Sequence, residues 1–489
     1  MKKFLLTLSL LSSVGLSAQN TDSTISLEEA VNLTMTNNPT LKALEYAEKA
    51  AKRERQAAIG LYMPKISVKG AYSYLGDDMA IDLNHAKGAV KDGVGNVIGQ
   101  IMQDPSLAGN PTIQQMLPKL QGGLNALLGL DWAYTLQNRS FGFIGGDVQM
   151  PIFMGGKIIA ANKAAKLNEK SVQAQGEQQR NALMSEIVER YFGYALALNA
   201  VDVRKQVVAG MEQHLHDIKS LERNGMVAST ERLYVEYKYA EAQRELLNAQ
   251  LQAETIGNAL CNTLGIDAVA TPVTAMFVLD EIEPLAYYRG IAEDNNPLLN
   301  QIGLKRQLAK QNANVHRADF MPQIVAIGGG TFYNYQVTGI LPRWAVGVGF
   351  NFKIFDGLNR EYKYAAAKNT VRRVESMQTK AEKDIAVLIE SLYNKMLNYR
   401  NQIASIEASI AFAEEYLRAK NAAYIAGIGT ATELVDAELN LAKVRIERMQ
   451  AAYNFDLYFA KLLEAAGISE EFLNCSRSAS ARHITYSQR

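Results

Sequence analysis

The chain carries an internal duplication, and this limits its fold more than any other feature. Asn37-Asn38-Pro39 recurs as Asn295-Asn296-Pro297, and at the same offset of 258 Leu41, Lys52, Met63-Pro64, Ile66 and Gly70 meet Leu299, Lys310, Met321-Pro322, Ile324 and Gly328. Further on the offset is 202, pairing Ile152-Phe153 with Ile354-Phe355, Tyr191 with Tyr393, Gly225 with Gly427, Thr230-Glu231 with Thr432-Glu433 and Gly265-Ile266 with Gly467-Ile468. Two copies of one supersecondary unit follow. The drop from 258 to 202 places 56 extra residues in the first copy, between about Leu75 and Ser140. The division expected is a first repeat over 19–268 with an insertion at about 75–139, a second repeat over 269–468, and a polar C-terminal tail over 469–489. The two repeats are expected to form one intertwined domain.

Residues 1–18 read as a secretory signal peptide: Lys2-Lys3, an apolar run from Phe4 to Leu16, then the small pair Ser17-Ala18. No cysteine lies near that cleavage point, so no lipid anchor is expected there. Cys261 and Cys475 are the only cysteines and read as free thiols rather than a disulfide framework. Charge is balanced, with 51 Lys+Arg against 50 Asp+Glu, which gives no reason to expect nucleic acid. No segment after the signal reaches the ~18 apolar residues of a spanning helix. An exported chain of this kind is soluble or a β-barrel.

Proline is absent from 152–271 and after Pro342, and proline is disfavoured inside helices because it lacks the N–H and clashes with the preceding turn. Both blocks therefore predict very long helices. In the second, Ile385, Leu388, Leu392, Met396, Tyr399, Ile403, Ile406, Ile410, Ala413 and Leu417 form a seam stepping by three and four, with one extra residue near Met396. Beyond Gly427–Gly429 two seams run in parallel, Leu434, Ala437, Leu441 and Val444, and Leu439, Ala442, Ile446 and Met449. A helix apolar on two sides packs on two sides, as in a closed ring of helices.

Short alternating segments flank these helices. Trp344, Val346, Val348, Phe350 and Phe352 alternate with small or polar residues, as do Ile66, Val68, Tyr72 and Tyr74. About ten residues with one greasy face fit a transmembrane β-strand. Each copy thus reads helix, strand, strand, long helix, tight break, helix, with a Ser26/Glu29 capping box opening the first helix. The four strands are the only sheet expected. Four strands leave two open edges, which lipid does not tolerate, and closed barrels need at least ~8 strands. Several protomers must share one barrel.

On the opening Ile25-Ser26-Leu27-Glu28-Glu29-Ala30 leading to Asn37-Asn38-Pro39, and on the two tips Gly225-Met226-Val227-Ala228-Ser229-Thr230-Glu231 and Gly427-Ile428-Gly429-Thr430-Ala431-Thr432-Glu433-Leu434-Val435-Asp436-Ala437, the sequence resembles the outer-membrane efflux protein (TolC) family over nearly the whole mature chain. The resemblance implies a mainly α protein with membrane β-strands: a homotrimer with a shared twelve-stranded outer-membrane barrel continued by an α-helical barrel across the periplasm. Residues 269–295 and the C-terminal segment would form an equatorial belt. It implies passive conduction, without catalysis or cofactor, for a tripartite efflux or type I secretion system. The partners would be a periplasmic adaptor (membrane fusion) protein, an inner-membrane transporter of the RND or ABC class, and outer-membrane lipid.

Under that resemblance the glycine-centred tips seat the adaptor through Gly225, Met226, Val227 and Thr230, and Gly427, Ile428, Gly429 and Thr432. As residues alone they are helix-to-helix turns. Glu231, Glu433 and Asp436 read alone as N-terminal acids complementing a helix dipole. In a trimer they become rings suited to a gate. Glu433 and Asp436 match gate aspartates of the family and Tyr424 a gate tyrosine, whereas Gly429 stands at its gate arginine and Glu222 replaces the tyrosine in the first copy. The family's locking bonds therefore do not transfer. The insertion, with an amphipathic helix between Pro111 and Trp132, reads as an ordered outer loop or a lid. His214 and His216 point to opposite sides of a helix and do not chelate together. Gly93-Val94-Gly95 and Gly347-Val348-Gly349 lack the strand–turn–helix context of a dinucleotide site. The rival reading is a secreted coiled-coil structural or adhesin stalk protein.

Overall fold

The computed structural model describes residues 24–337 and 342–485. The segment read as a signal peptide lies outside them. The first half of the chain forms β1 (Thr24–Ile25), α1 (Leu27–Asn37), α2 (Pro39–Ile59), β2 (Lys65–Tyr74), β3 (Met79–Asp82), α3 (Ala86–Gln103), α4 (Pro105–Ala108), α5 (Pro111–Gly129), β4 (Ala133–Gln137), β5 (Ser140–Met154), α6 (Lys157–Arg223) and α7 (Ser229–Leu264). The second forms β6 (Thr271–Pro272), β7 (Met276–Leu279), α8 (Leu285–Asn295), α9 (Pro297–Ala318), β8 (Gln323–Tyr335), β9 (Trp344–Asn351), α10 (Asn359–Ile425), α11 (Ala431–Ala466), α12 (Glu471–Ser476) and β10 (Ala481–Ile484). Helices α6 and α10 are each 67 residues long, and α7 and α11 each 36, with ends 202 apart. No helix among the described residues is long and apolar enough to cross a membrane.

The chain forms two compact units, and each takes segments from both copies. One comprises the described residues of Met1–Arg55, Lys163–Ala313 and Ala365–Arg489; the other comprises Gln56–Asn162 and the described residues of Asn314–Tyr364.

In the first unit the repeated sequence signatures do one job twice. Gly265 and Gly467 end α7 and α11 in the left-handed region, at φ 67° and 78°, the backbone state glycine tolerates best. Beside each lies an Asn-Asn-Pro turn that breaks the opening helix in two. Asn38 donates to the Thr263 carbonyl at 3.1 Å and accepts from Thr40 N at 2.8 Å. Asn296 donates to the Ala465 carbonyl at 2.7 Å and accepts from Leu299 N at 3.0 Å. Both amides are buried and bonded, as buried polar groups must be. The Ser26/Glu29 capping box is formed. Tyr191 then ties strand to helix: its hydroxyl donates to Ile25 O at 2.7 Å and accepts from Val273 N at 3.0 Å and Thr274 N at 2.9 Å.

Three sequence expectations need correction here. The seam of α10 has Ile389, 1% exposed, where Leu388 was expected; Leu388 is 44% exposed. With Ile389 in place the steps alternate four and three from Ile385 to Leu417, and no extra residue is needed near Met396. The four strands are not the only sheet. Thr24–Ile25 pairs with Thr271–Pro272 in parallel, β7 pairs with β10, and β3 with β4. Finally, residues 469–489 are not simply a polar tail. Phe472 and Ile484 are fully buried, and Phe472 packs on Phe277 and Phe459 at ring distances of 5.4 and 5.7 Å. The polar composition of that segment hid two apolar anchors that hold a helix and a strand in the core. Cys261 and Cys475 are free thiols.

The second unit contains a four-stranded antiparallel sheet in the order β2-β5-β8-β9. Its register aligns Ile66 with Val148 and Gly328 with Val346, and places Val148 opposite Gly328. One face therefore collects Ile66, Val68, Tyr72, Tyr74, Val148, Trp344, Val346, Val348 and Phe350. These are 40–76% exposed. On the opposite face Asp147 accepts from Ser67 Oγ at 2.6 Å and pairs with Lys69 at 2.9 Å. Strands β2 and β9 are the edges, and among the described residues each has one side without a partner strand. The insertion contains α3, α4, α5 and the β3–β4 pair, so the helix expected after Pro111 is present but is one of three.

Candidate functional site at the helical tips

Each long helix ends on a glycine in the left-handed region, Gly225 at φ 70° and Gly427 at φ 71°. The freed carbonyls are capped in the same way: Gly225 N and Met226 N bond to Glu222 O and Leu221 O, and Gly427 N and Ile428 N to Tyr424 O and Ala423 O. This is the doubly bonded glycine C-cap. The next helices start differently. Thr430 caps α11 by accepting from Glu433 N at 3.2 Å, whereas Ala228 offers α7 no side-chain cap.

The tips project apolar side chains. Met226 is 71% exposed and Ile428 85%. Gly225, Gly427 and Thr230 are also exposed, while Val227, Gly429 and Thr432 are half-buried. Val227 packs with Tyr424 onto a small core of Val203, Val207, Met211, Ile218, Val235, Ala431 and Val435. The two hairpins therefore share one apolar floor.

The predicted gate acids take separate partners. Asp436 accepts from the Tyr234 hydroxyl at 2.8 Å, a bond between positions 202 apart and so between equivalent sites of the two copies. Glu433 stays within its own hairpin, bonded to Lys420 at 3.2 Å. That contact raises the Lys420 pKa. Burial, then the charges of Asp217 and Glu231, raise the Tyr424 pKa, so its hydroxyl keeps its proton. Glu222 sits where the second copy has Tyr424 and pairs with Arg232 at 2.7 Å; Arg232 also holds Glu236 at 2.7 Å.

The structure thus brings Asp436 to the first hairpin and the charge of Glu231 near Tyr424, while Glu433 stays apart from both. Sequence reasoning missed Tyr234, Lys420, Arg232 and the pair His214–Glu438, which join at 2.8 Å. A signal for that pair existed in Gly210, one turn before His214: a Cβ there would lie 1.9 Å from Glu438 Oε1, so glycine makes room for the acid. Among the described residues no three His, Cys, Asp or Glu side chains gather as a metal site.

The sequence profile of the family described as "Outer membrane efflux protein" matches residues 289–468. The chain is 22% identical over 310 residues to the alkaline protease secretion protein AprF of Pseudomonas aeruginosa, covering 60% of this chain and 63% of that protein. It is 22% identical over 333 residues to the outer membrane protein TolC of Escherichia coli, covering 63% of this chain and 66% of that protein. The matched segments thus span slightly less than two thirds of each relative. The fold is similar to that of the Campylobacter jejuni CmeC outer membrane channel, with a TM-score of 0.69 at 15% identity over 98% of this chain and 97% of that one. It is also similar to the outer membrane protein VceC of Vibrio cholerae, with a TM-score of 0.67 at 14% identity over 90% and 96%.

Proposed function

Because this chain belongs to the outer membrane efflux protein family, whose members are channels rather than enzymes, we propose that it is the outer-membrane exit duct of a tripartite efflux or type I secretion system. The observation that supports this best is the four-stranded sheet with one exposed apolar face and two open edges. Unpaired N–H and C=O groups along an edge cost several kcal/mol each in lipid, so the sheet reaches a membrane only when its edges are closed. Three copies joined edge to edge give twelve strands, enough for a barrel. An exposed stripe on α7, formed by Leu233, Tyr237, Leu247 and Leu251, likewise supports helix packing between copies.

In this reading the two repeats work as one intertwined domain in a homotrimer. The insertion at 75–139 lies at the outer mouth and the long helices enclose a periplasmic tunnel. Met226 and Ile428, with Gly225, Val227, Thr230, Gly427, Gly429 and Thr432, meet a periplasmic adaptor, which links the duct to an inner-membrane RND or ABC transporter. Glu231, Tyr424, Glu433 and Asp436 narrow the periplasmic end. The duct itself carries out no catalysis. Membrane fractionation followed by planar-bilayer recording tests the reading. A duct stays in outer-membrane vesicles through a high-salt wash, leaves only with detergent, and conducts. A stalk protein leaves with salt, and that result would overturn the proposal.

A further inference from the structure

The duplication provides an internal control, because a cleft open in the second copy is bridged in the first. Between α8, α9 and α10 lies a cavity of about 530 Å3, within the ~300–1,000 Å3 typical of small-molecule sites. Its floor is apolar, formed by Ala292, Leu299, Ile385 and Ile389. Its rim carries the carboxylates of Glu293, Asp294 and Glu382. The one cation in the lining, Arg289, is engaged by Glu390 at 2.7 Å. Two buried polar atoms of the lining, Gln378 Oε1 and Arg289 Nε, have no hydrogen-bond partner among the described residues, which do not complete the polar lining of this cavity.

The equivalent positions of the first copy, at offsets 258 and 202, are Met35 for Glu293, Thr36 for Asp294, Gly176 for Gln378 and Arg180 for Glu382. There Arg180 bonds Glu48 at 3.2 Å, and Glu48 lies over Gly176 so closely that a Cβ would stand 2.7 Å from its Oε1. The second copy has Arg306 in place of Glu48. One scaffold therefore carries a bridged cleft with a basic rim residue and an open cleft with three acids.

We propose that the cleft of the second copy binds an amphiphilic organic cation, whose apolar body lies on Leu299, Ile385 and Ile389 and whose charge faces Glu293, Asp294 and Glu382. Among the lining residues three carboxylates stand against one cation, Arg289, already engaged by Glu390. Gln378 Nε2 donates to Glu382 at 2.9 Å, and Arg306 occupies the place of Glu48 next to the cleft. Selection for positive charge therefore rests chiefly on Glu293 and Asp294, while the apolar floor disfavours small hydrated ions. The inference does not depend on conduction.

The test uses the full-length protein in dodecyl maltoside micelles and a probe pair of matched size and opposite charge, tetraphenylphosphonium and tetraphenylborate, followed by calorimetry. The wild type is expected to bind the phosphonium at least tenfold more tightly than the borate. In E293Q/D294N/E382Q, with its melting curve checked against wild type, phosphonium affinity falls at least tenfold. In A386W, which fills the cavity and keeps every acid, it falls as well. Equal binding of the two probes, no phosphonium binding to wild type, or an unchanged triple variant overturns the proposal. So does retained binding in A386W, which would mean that the acids attract cations without a cavity.

Discussion

Gly467 sits at a crowded helix end. At φ 78° its added Cβ would lie 2.2 Å from Asn295 O, a backbone atom, while the equivalent Cβ at Gly265 meets Asn37 Cβ at 3.2 Å. Both positions incur the left-handed cost of about 1–2 kcal/mol for a side chain, but only Gly467 adds a backbone clash. Gly467→Ala should therefore lower the thermal midpoint well below that of Gly265→Ala; equal losses would show that the Asn295 turn yields freely. Asp456 makes a second residue-scale case. It is fully buried, accepts one bond from Phe277 N at 3.2 Å, and leaves Oδ1 unpartnered. Burial raises its pKa well above the usual aspartate value. The native state then holds a proton that the unfolded chain releases near pH 4, so this group's contribution to stability is present below that pH and declines as pH rises. Melting curves between pH 4 and pH 7 should fall less steeply for Asp456→Asn than for wild type. An unchanged slope would show that Asp456 is ionised in the fold. The glycine was legible because the repeat displayed it twice. Asp456 was not, since its equivalent is Glu254, an exposed residue, and one carboxylate on a long helix gives no sign of which neighbours enclose it.

The tips and the sheet are the elements on which the proposed function rests. Tyr234 to Asp436 is one of two side-chain bonds near the tips that join the hairpins across the copies, the other being His214–Glu438, and it is worth about 1 kcal/mol, or roughly a fivefold shift in a closed-to-open ratio. Tyr234→Phe and Asp436→Ala should each raise single-channel conductance or antibiotic leakage. Glu433→Ala should raise it less, because Lys420 holds that acid within its own hairpin. Equal effects from Glu433 and Asp436 would remove the cross-hairpin bond from the gate. In the sheet, Val348 and Gly347 are neighbours on opposite faces, and a Cβ at Gly347 meets nothing within 4 Å. Arginine on a lipid face costs about 2–4 kcal/mol at mid-membrane. Val348→Arg should deplete the outer-membrane fraction while Gly347→Arg spares it; the reverse result would invert the faces. Alternation made these faces legible in the sequence, because a strand repeats every two residues. The pairing of Glu433 with Lys420 was not legible, because an exposed acid and a half-buried lysine on separate helices have no spacing in the sequence that names them partners.

At the scale of the whole molecule, the copies seen in the sequence are not the units seen in the fold. Strands β2 and β5 come from the first copy and β8 and β9 from the second, so the sheet is joined in the middle by β5–β8 pairing. In the other unit, β1 from the first copy pairs with β6 from the second, and the Tyr191 hydroxyl of the first copy accepts from Val273 N and Thr274 N of the second. The intertwining expected for the two repeats takes this form, although sequence identity between the copies alone does not specify which strands are exchanged, because like residues repeat whether the copies fold side by side or through one another. An isolated half would expose the β5 or β8 edge along its whole length, and exposed edges pair unselectively. Residues 19–268 and 269–489 expressed separately should therefore aggregate or remain without a cooperative melt. The two halves expressed together should reassemble into a particle of the same mass as the intact protein. A cooperative melt from either half alone would show that the copies are separable domains, and the intertwined reading would fall.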